Sequence, residues 1–154
     1  MKRFVWRLQR VLDIKKKEEQ KKRTELLELM EKIARTRGQL LTKQMILEDI
    51  INDLSREEPK NRLGEQEFFL RYSVASNEEI KKLKDKLSEL ESQQREKIAE
   101  VLKVRRFKEG LERLRADAKI QFIKEQEKLE QKELDEAATV SFVRRKSSSL
   151  SGTN

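Results

Sequence analysis

With no histidine and no cysteine among its 154 residues, this chain lacks an ordinary imidazole base, a thiolate nucleophile and the donor set of a zinc site. Carboxylates are plentiful, with 29 Asp and Glu beside 37 Lys and Arg. General acid–base work, however, needs a pair of carboxyls whose pKa values are driven apart by burial, and nothing in so charged a chain would desolvate one. No G-x-x-x-x-G-K-[ST] or G-x-G-x-x-G loop is present to hold a nucleotide phosphate. Gly38 and Gly110 stand alone inside helical patterns and mark local flexibility or close packing. The run Arg144-Arg145-Lys146-Ser147-Ser148-Ser149 could take a phosphate or bind an anion, and reads more simply as a soluble tail. The expectation is a protein that is not an enzyme and holds no cofactor or metal. Its chemistry is that of surfaces.

Those surfaces need elements to carry them. Charged residues make up 43% of the chain, against about a quarter in an average soluble domain. Too little apolar surface is left for a layered core, so the choice lies between disorder and long helices sharing a narrow seam. Scarce Gly and Pro, with abundant Glu, Lys, Leu, Gln and Arg, favour helix. No apolar run approaches the roughly 20 residues that a bilayer needs. The apolar opening residues are interrupted by Arg7 and Arg10, unlike a secretory signal. A soluble, intracellular protein is expected.

Periodicity decides for helix. Val5, Leu12, Glu19, Leu26, Ile33, Leu40, Leu47 and Leu54 follow at a spacing of seven, with Glu19 alone polar. Leu8, Leu29 and Ile50 flank that row on one side, Met30 and Ile51 on the other. Such a row is a coiled-coil seam, and it predicts a first helix over about 3–57. Pro59, which disfavours helical geometry at Glu58, then breaks the chain over about 58–62.

Ile80, Leu83, Leu87 and Leu90 open a second pattern that continues through Val104, Leu111, Phe122 and Leu129 to about residue 138. Steps of eleven from Leu87 to Ile98 and from Leu90 to Val101 suggest that its register drifts. Ser76-Asn77-Glu78-Glu79 has capping-box spacing, so a second break at 74–76 is possible on sequence grounds. Residues 141–154 read as a flexible tail. The expected fold is all-α: one long antiparallel two-helix coiled-coil hairpin over 1–140. A turn near Pro59 sets Leu40 near Ile80, Leu12 near Phe107 and Val5 near Leu114. The second helix then overhangs the first by roughly 20 to 25 residues, carrying Phe122, Leu129 and Leu134. An unpaired helix is marginal in water, so the overhang implies a partner.

Residues 1–23 carry +7 and residues 140–154 carry +3, which leaves −2 of the whole-chain +8 for residues 24–139. A hairpin brings both basic ends to its open end, around the cluster of Phe4, Trp6, Leu8 and Leu12. At the turn end, Phe68, Phe69 and Leu70 are consecutive and cannot all face one seam. With Tyr72 they predict an exposed aromatic contact surface.

The opening F-x-W-R-L-Q-R-V-L-D, with K-K-K-E-E-Q after it, and the E-Q-K-E-L-D-E-A-A at 130–138 resemble the flagellar export protein FliJ family. The resemblance spans nearly the whole chain. It implies a non-enzymatic component of type III export, a coiled coil similar to the central stalk of rotary ATPases. It also implies three partners: a hexameric export ATPase, the cytoplasmic domain of the export gate, and export chaperones. The implied place is the cytoplasm, peripheral at the inner face of the bacterial membrane, with no nucleic acid bound and no insertion into the bilayer.

Joined to the hairpin geometry, the resemblance assigns ring contacts to Phe4, Leu8, Leu12, Lys15, Lys16, Lys17, Leu129, Leu134, Asp135 and Glu136. It assigns contacts with a second partner to Phe68, Phe69, Leu70 and Tyr72. The alternatives are a nucleic-acid-binding coiled coil, for which the pI of 9.7 speaks, and a membrane-surface anchor built on Phe4, Val5, Trp6 and Leu8. Against the first, basic residues alternate with Glu18 and Glu19, and no basic helix leads into a parallel zipper.

Overall fold

The computed structural model describes residues 2–56 and 62–151. Two helices account for nearly all of them: α1, Gln9–Ser55, and α2, Arg62–Ser151. Glu58, Pro59 and most of the expected break lie outside the described residues. α1 starts later than the periodicity suggested. Residues 2–6 are irregular, and a turn in which the Gln9 N–H donates to the Trp6 carbonyl leads into the helix. Phe4 supplies a reason: its ring packs 5.4 Å from that of Phe122 on α2, with the Arg115 guanidinium 5.6 Å from its centroid. Docking Phe4 there pulls the segment off the helical path and leaves Val5 82% exposed, so Val5 is not in the seam.

α2 corrects the sequence reading in three places. It runs unbroken through 74–76, where Ser76 is a buried helix-interior residue rather than a cap. It continues past 138 to Ser151, so 141–151 are helical rather than a flexible tail. No Gly or Pro interrupts 111–151, and the Ser148 and Ser149 hydroxyls donate to the Arg145 and Lys146 carbonyls of their own turn. Nor does its register drift. Two rows at strict spacing of seven are buried or half-buried along α2: Phe69, Ser76, Leu83, Leu90, Lys97, Val104, Leu111 and Ala118, and Ser73, Ile80, Leu87, Gln94, Val101, Lys108, Arg115 and Phe122. Ile98 is exposed and belongs to neither. The steps of eleven arose from counting apolar residues alone, across two rows that are partly polar.

α1 is built the same way. Beside the Leu12–Leu54 row runs a second one of Leu8, Lys15, Lys22, Leu29, Thr36, Lys43 and Ile50, while Met30 and Ile51 face outward. Leu29, Ile33 and Leu90, with Leu87 against them, form the central apolar cluster.

Contacts divide the chain into two compact units: Lys16–Arg105, and Met1–Lys15 with Arg106–Asn154. In the first, Lys22 pairs with Glu100 at 3.0 Å, Lys97 with Glu25 at 2.8 Å, and Lys43 with Glu79. The residue numbers of each pair add to 122, so α1 and α2 are antiparallel about a midpoint at residue 61. In the second unit the Lys15 ammonium lies 5.0 Å over the Phe107 ring, again a pair adding to 122. The expected pairs of Leu12 with Phe107 and Val5 with Leu114 are therefore three residues out of register, and Phe107 and Leu114 are exposed. The correct register puts the inward rows of both helices opposite each other, at Leu12 and Leu111 for example, and only that shift buries both.

Candidate partner-binding surfaces

The unit formed by Met1–Lys15 and Arg106–Asn154 contains most of the residues expected at the open end. Leu12 is 1% exposed and belongs to the interior, where it cannot meet a partner without unfolding. Phe4 and Leu8 are half-buried. Phe4 is covered by Phe122 and Arg115, whose Nε–H also donates to Gln9 Oε1 at 2.7 Å. Phe122 was expected on the bare overhang, but the irregular segment before α1 covers it. Lys2 reaches the same stretch, closing a recess of about 330 Å³ with Phe122, Ile123, Gln126, Glu127 and Glu130. Lys15 is held over Phe107, and its ammonium keeps a surface position on the ring face. Lys16 and Lys17 belong to the other unit and are exposed.

Beyond Gln126 only Lys2, among the described residues, comes near α2, beside Glu127 and Glu130. Every side chain from Glu127 to Leu150 is exposed, including the expected Leu129, Leu134, Asp135 and Glu136. The overhang continues further than expected and adds Val140, Phe142, Val143 and Leu150 to its exposed apolar residues. The sequence signal for this was the row Phe122, Leu129, Glu136, Val143 and Leu150, which keeps the spacing of seven across the supposed tail.

In the Lys16–Arg105 unit, the residues near the connection sort by direction. Phe69 occupies a row position and is half-buried, whereas Phe68, Leu70, Leu63 and Val74 are exposed. The Phe68 ring stacks on that of Tyr72, one turn along, with centroids 6.3 Å apart and planes at 17°. Of the four expected contact residues, Phe68 and Tyr72 stack on one side of α2 and Leu70 is exposed on another, two residues round the helix; Phe69 serves the seam.

Sequence reading missed a charged layer in this unit, toward its Lys16 and Arg105 end. Lys97 donates to Glu25 and to Glu100, and Lys22 donates to Glu100. The hydrogen bond from Lys97 holds the Glu25 carboxyl below the usual carboxylate range, and those from Lys22 and Lys97 do the same for Glu100. In return, Glu25 and then Glu100 raise the Lys97 ammonium. Glu79 is lowered in the same way by Lys43. These are exposed or half-exposed pairs that let lysines occupy seam rows. Among the described residues, no helix is long and apolar enough to cross a membrane.

The profile of the flagellar FliJ protein family matches residues 3–147, nearly the entire chain. The chain belongs to the FliJ family. Membership makes it a component of the flagellar export apparatus. Among curated proteins, and among solved structures, no significant match to it is found.

Proposed function

We propose that this FliJ-family chain is the central stalk of the export machinery, non-enzymatic itself, coupling a hexameric export ATPase to the cytoplasmic domain of the export gate and escorting export chaperones. It works in the cytoplasm, at the inner face of the cell membrane. The observation that carries this reading is the exposed helix of 127–150, which begins about one turn past Phe122, where Phe4 docks. A single exposed helix beside a basic, aromatic-lined end suits the central hole of a ring. Leu129, Leu134, Asp135 and Glu136 enter it, and Lys15, Lys16 and Lys17 contact the ring outside it. Phe68, Leu70 and Tyr72 meet the gate.

Two folded double variants test it, with ATPase stimulation and gate-domain binding measured for both. Phe68→Ala with Leu70→Ala is expected to weaken gate binding by about 2 kcal/mol or more and leave stimulation unchanged. Leu129→Ala with Leu134→Ala is expected to do the reverse. Equal loss of both activities in each variant, with helicity intact, rejects the coupling role.

A further inference from the structure

The bare part of α2 is patterned as though another helix belonged against it. The inward row of Ser73 to Phe122 continues without a change of spacing through Leu129, Glu136, Val143 and Leu150. The row of the seam is therefore continuous with this face, although the described segment before α1 reaches no further along α2 than Lys2 beside Glu127 and Glu130. One side of the face is a shallow hollow with Glu133 and Glu136 at one end and Arg144 and Arg145 at the other. Ala137, Val140 and Ser141 lie between them. The small middle residues let a helix approach closely, and the ends are of opposite charge. Net charge follows the same division: residues 124–136 carry −3 and residues 139–151 carry +3.

A surface acidic at one end, small in the middle and basic at the other is complementary to itself when turned end for end. We propose that this face pairs with the same face of a second copy of the chain, antiparallel, about a two-fold axis between residues 139 and 140. In that register Glu133 and Glu136 oppose the partner copy's basic run at 144–146. Leu129 lies level with the other copy's Leu150, and Val143 beside the aliphatic stem of its Glu136. Each copy supplies the helix that the other's row lacks, over about 22 residues or roughly 33 Å. The pairing is independent of the stalk role. It would cover Glu136 and Leu129 in the free protein, so a ring that takes the overhang must first separate the two copies.

Sedimentation equilibrium of the full chain tests this, because mass responds to pairing and not to export function. A dimer is expected at about 50 mM salt, weakening toward about 500 mM as the charges are screened. Glu133→Lys with Glu136→Lys, and separately Arg144→Glu with Arg145→Glu, should each weaken the dimer at least about tenfold, since every such pair becomes repulsive. An equimolar mixture of these two variants should recover dimers, now mixed. The chain has no cysteine, so orientation can be read directly. Val140→Cys should cross-link to itself on oxidation, whereas Ser147→Cys should not, its counterpart lying about 22 Å away along the axis. A monomeric wild type at low salt overturns the proposal. So does a dimer indifferent to both reversals, or self-linking at residue 147 as well as 140.

Discussion

Burial separates residues that look alike in sequence. Val5 and Leu12 occupy the same seven-residue row, yet one is 82% and the other 1% exposed. Leu12→Ala should therefore cost about 2 to 5 kcal/mol by urea denaturation, and Val5→Ala less than about 0.5 kcal/mol. Similar losses from both would mean that Val5 joins the seam in solution. The lysine–carboxylate layer has a pH signature. Glu25 and Glu100 titrate below their unfolded value, so their contribution to stability is fully present above the usual carboxylate range. It is lost as pH falls through their depressed folded values. Lys97 is raised, so its contribution persists at neutral pH and disappears only as pH rises through its folded value, above 10.5. Lys97→Met should return the Glu25 carboxyl toward 4.5, read by side-chain NMR titration. An unchanged Glu25 midpoint would show that the pair is not populated.

At the scale of elements, the helices carry a local cost that the packing does not require. Gly38 lies in mid-α1 with ordinary backbone geometry, and a Cβ built there meets nothing within 4 Å. Close packing therefore does not explain it. Gly38→Ala should stabilise the protein by about 0.5 to 1 kcal/mol, through lower backbone entropy in the unfolded chain, and raise the thermal midpoint. A lower midpoint would mean that α1 needs to bend at that point. The lysines and glutamines of the inward rows have a different origin. A coiled-coil seam can hold a lysine if its stem lies along the seam and its ammonium reaches a carboxylate beside it, as Lys97 does with Glu25 and Glu100.

For the molecule as a whole, charge is concentrated where the chain ends meet the ring in the proposed stalk. Reversing Lys15, Lys16 and Lys17 to Glu should slow association with the ATPase more than it speeds dissociation, because exposed charges act mainly by steering. The wild-type association rate should fall with added salt, as charges beyond about 8 Å are screened at physiological ionic strength. Stopped-flow association measured against salt checks both. A rate indifferent to salt and to the reversal would leave the basic end without a role in ring binding.

Much of this was legible in sequence because it is local. Helix follows from composition and from a spacing of seven, and both are properties of one chain segment at a time. That is why α1, the heptad row from Leu12 to Leu54 and the FliJ resemblance could be read directly. Which flank faces inward, Leu29 and Ile50 rather than Met30 and Ile51, depends on the other helix. So does the register, which is set where two pairs of rows mesh and not by counting from a proline. Polar row positions such as Lys97, Gln94 and Arg115 were invisible for the same reason, since a lysine is interior only when another segment supplies its carboxylate. The departure of residues 2–8 from helix is likewise decided by Phe122, a residue more than a hundred positions away in sequence. Sequence by itself determined the helices and their spacing; packing between distant segments decided which side chains it buried and which it left for partners.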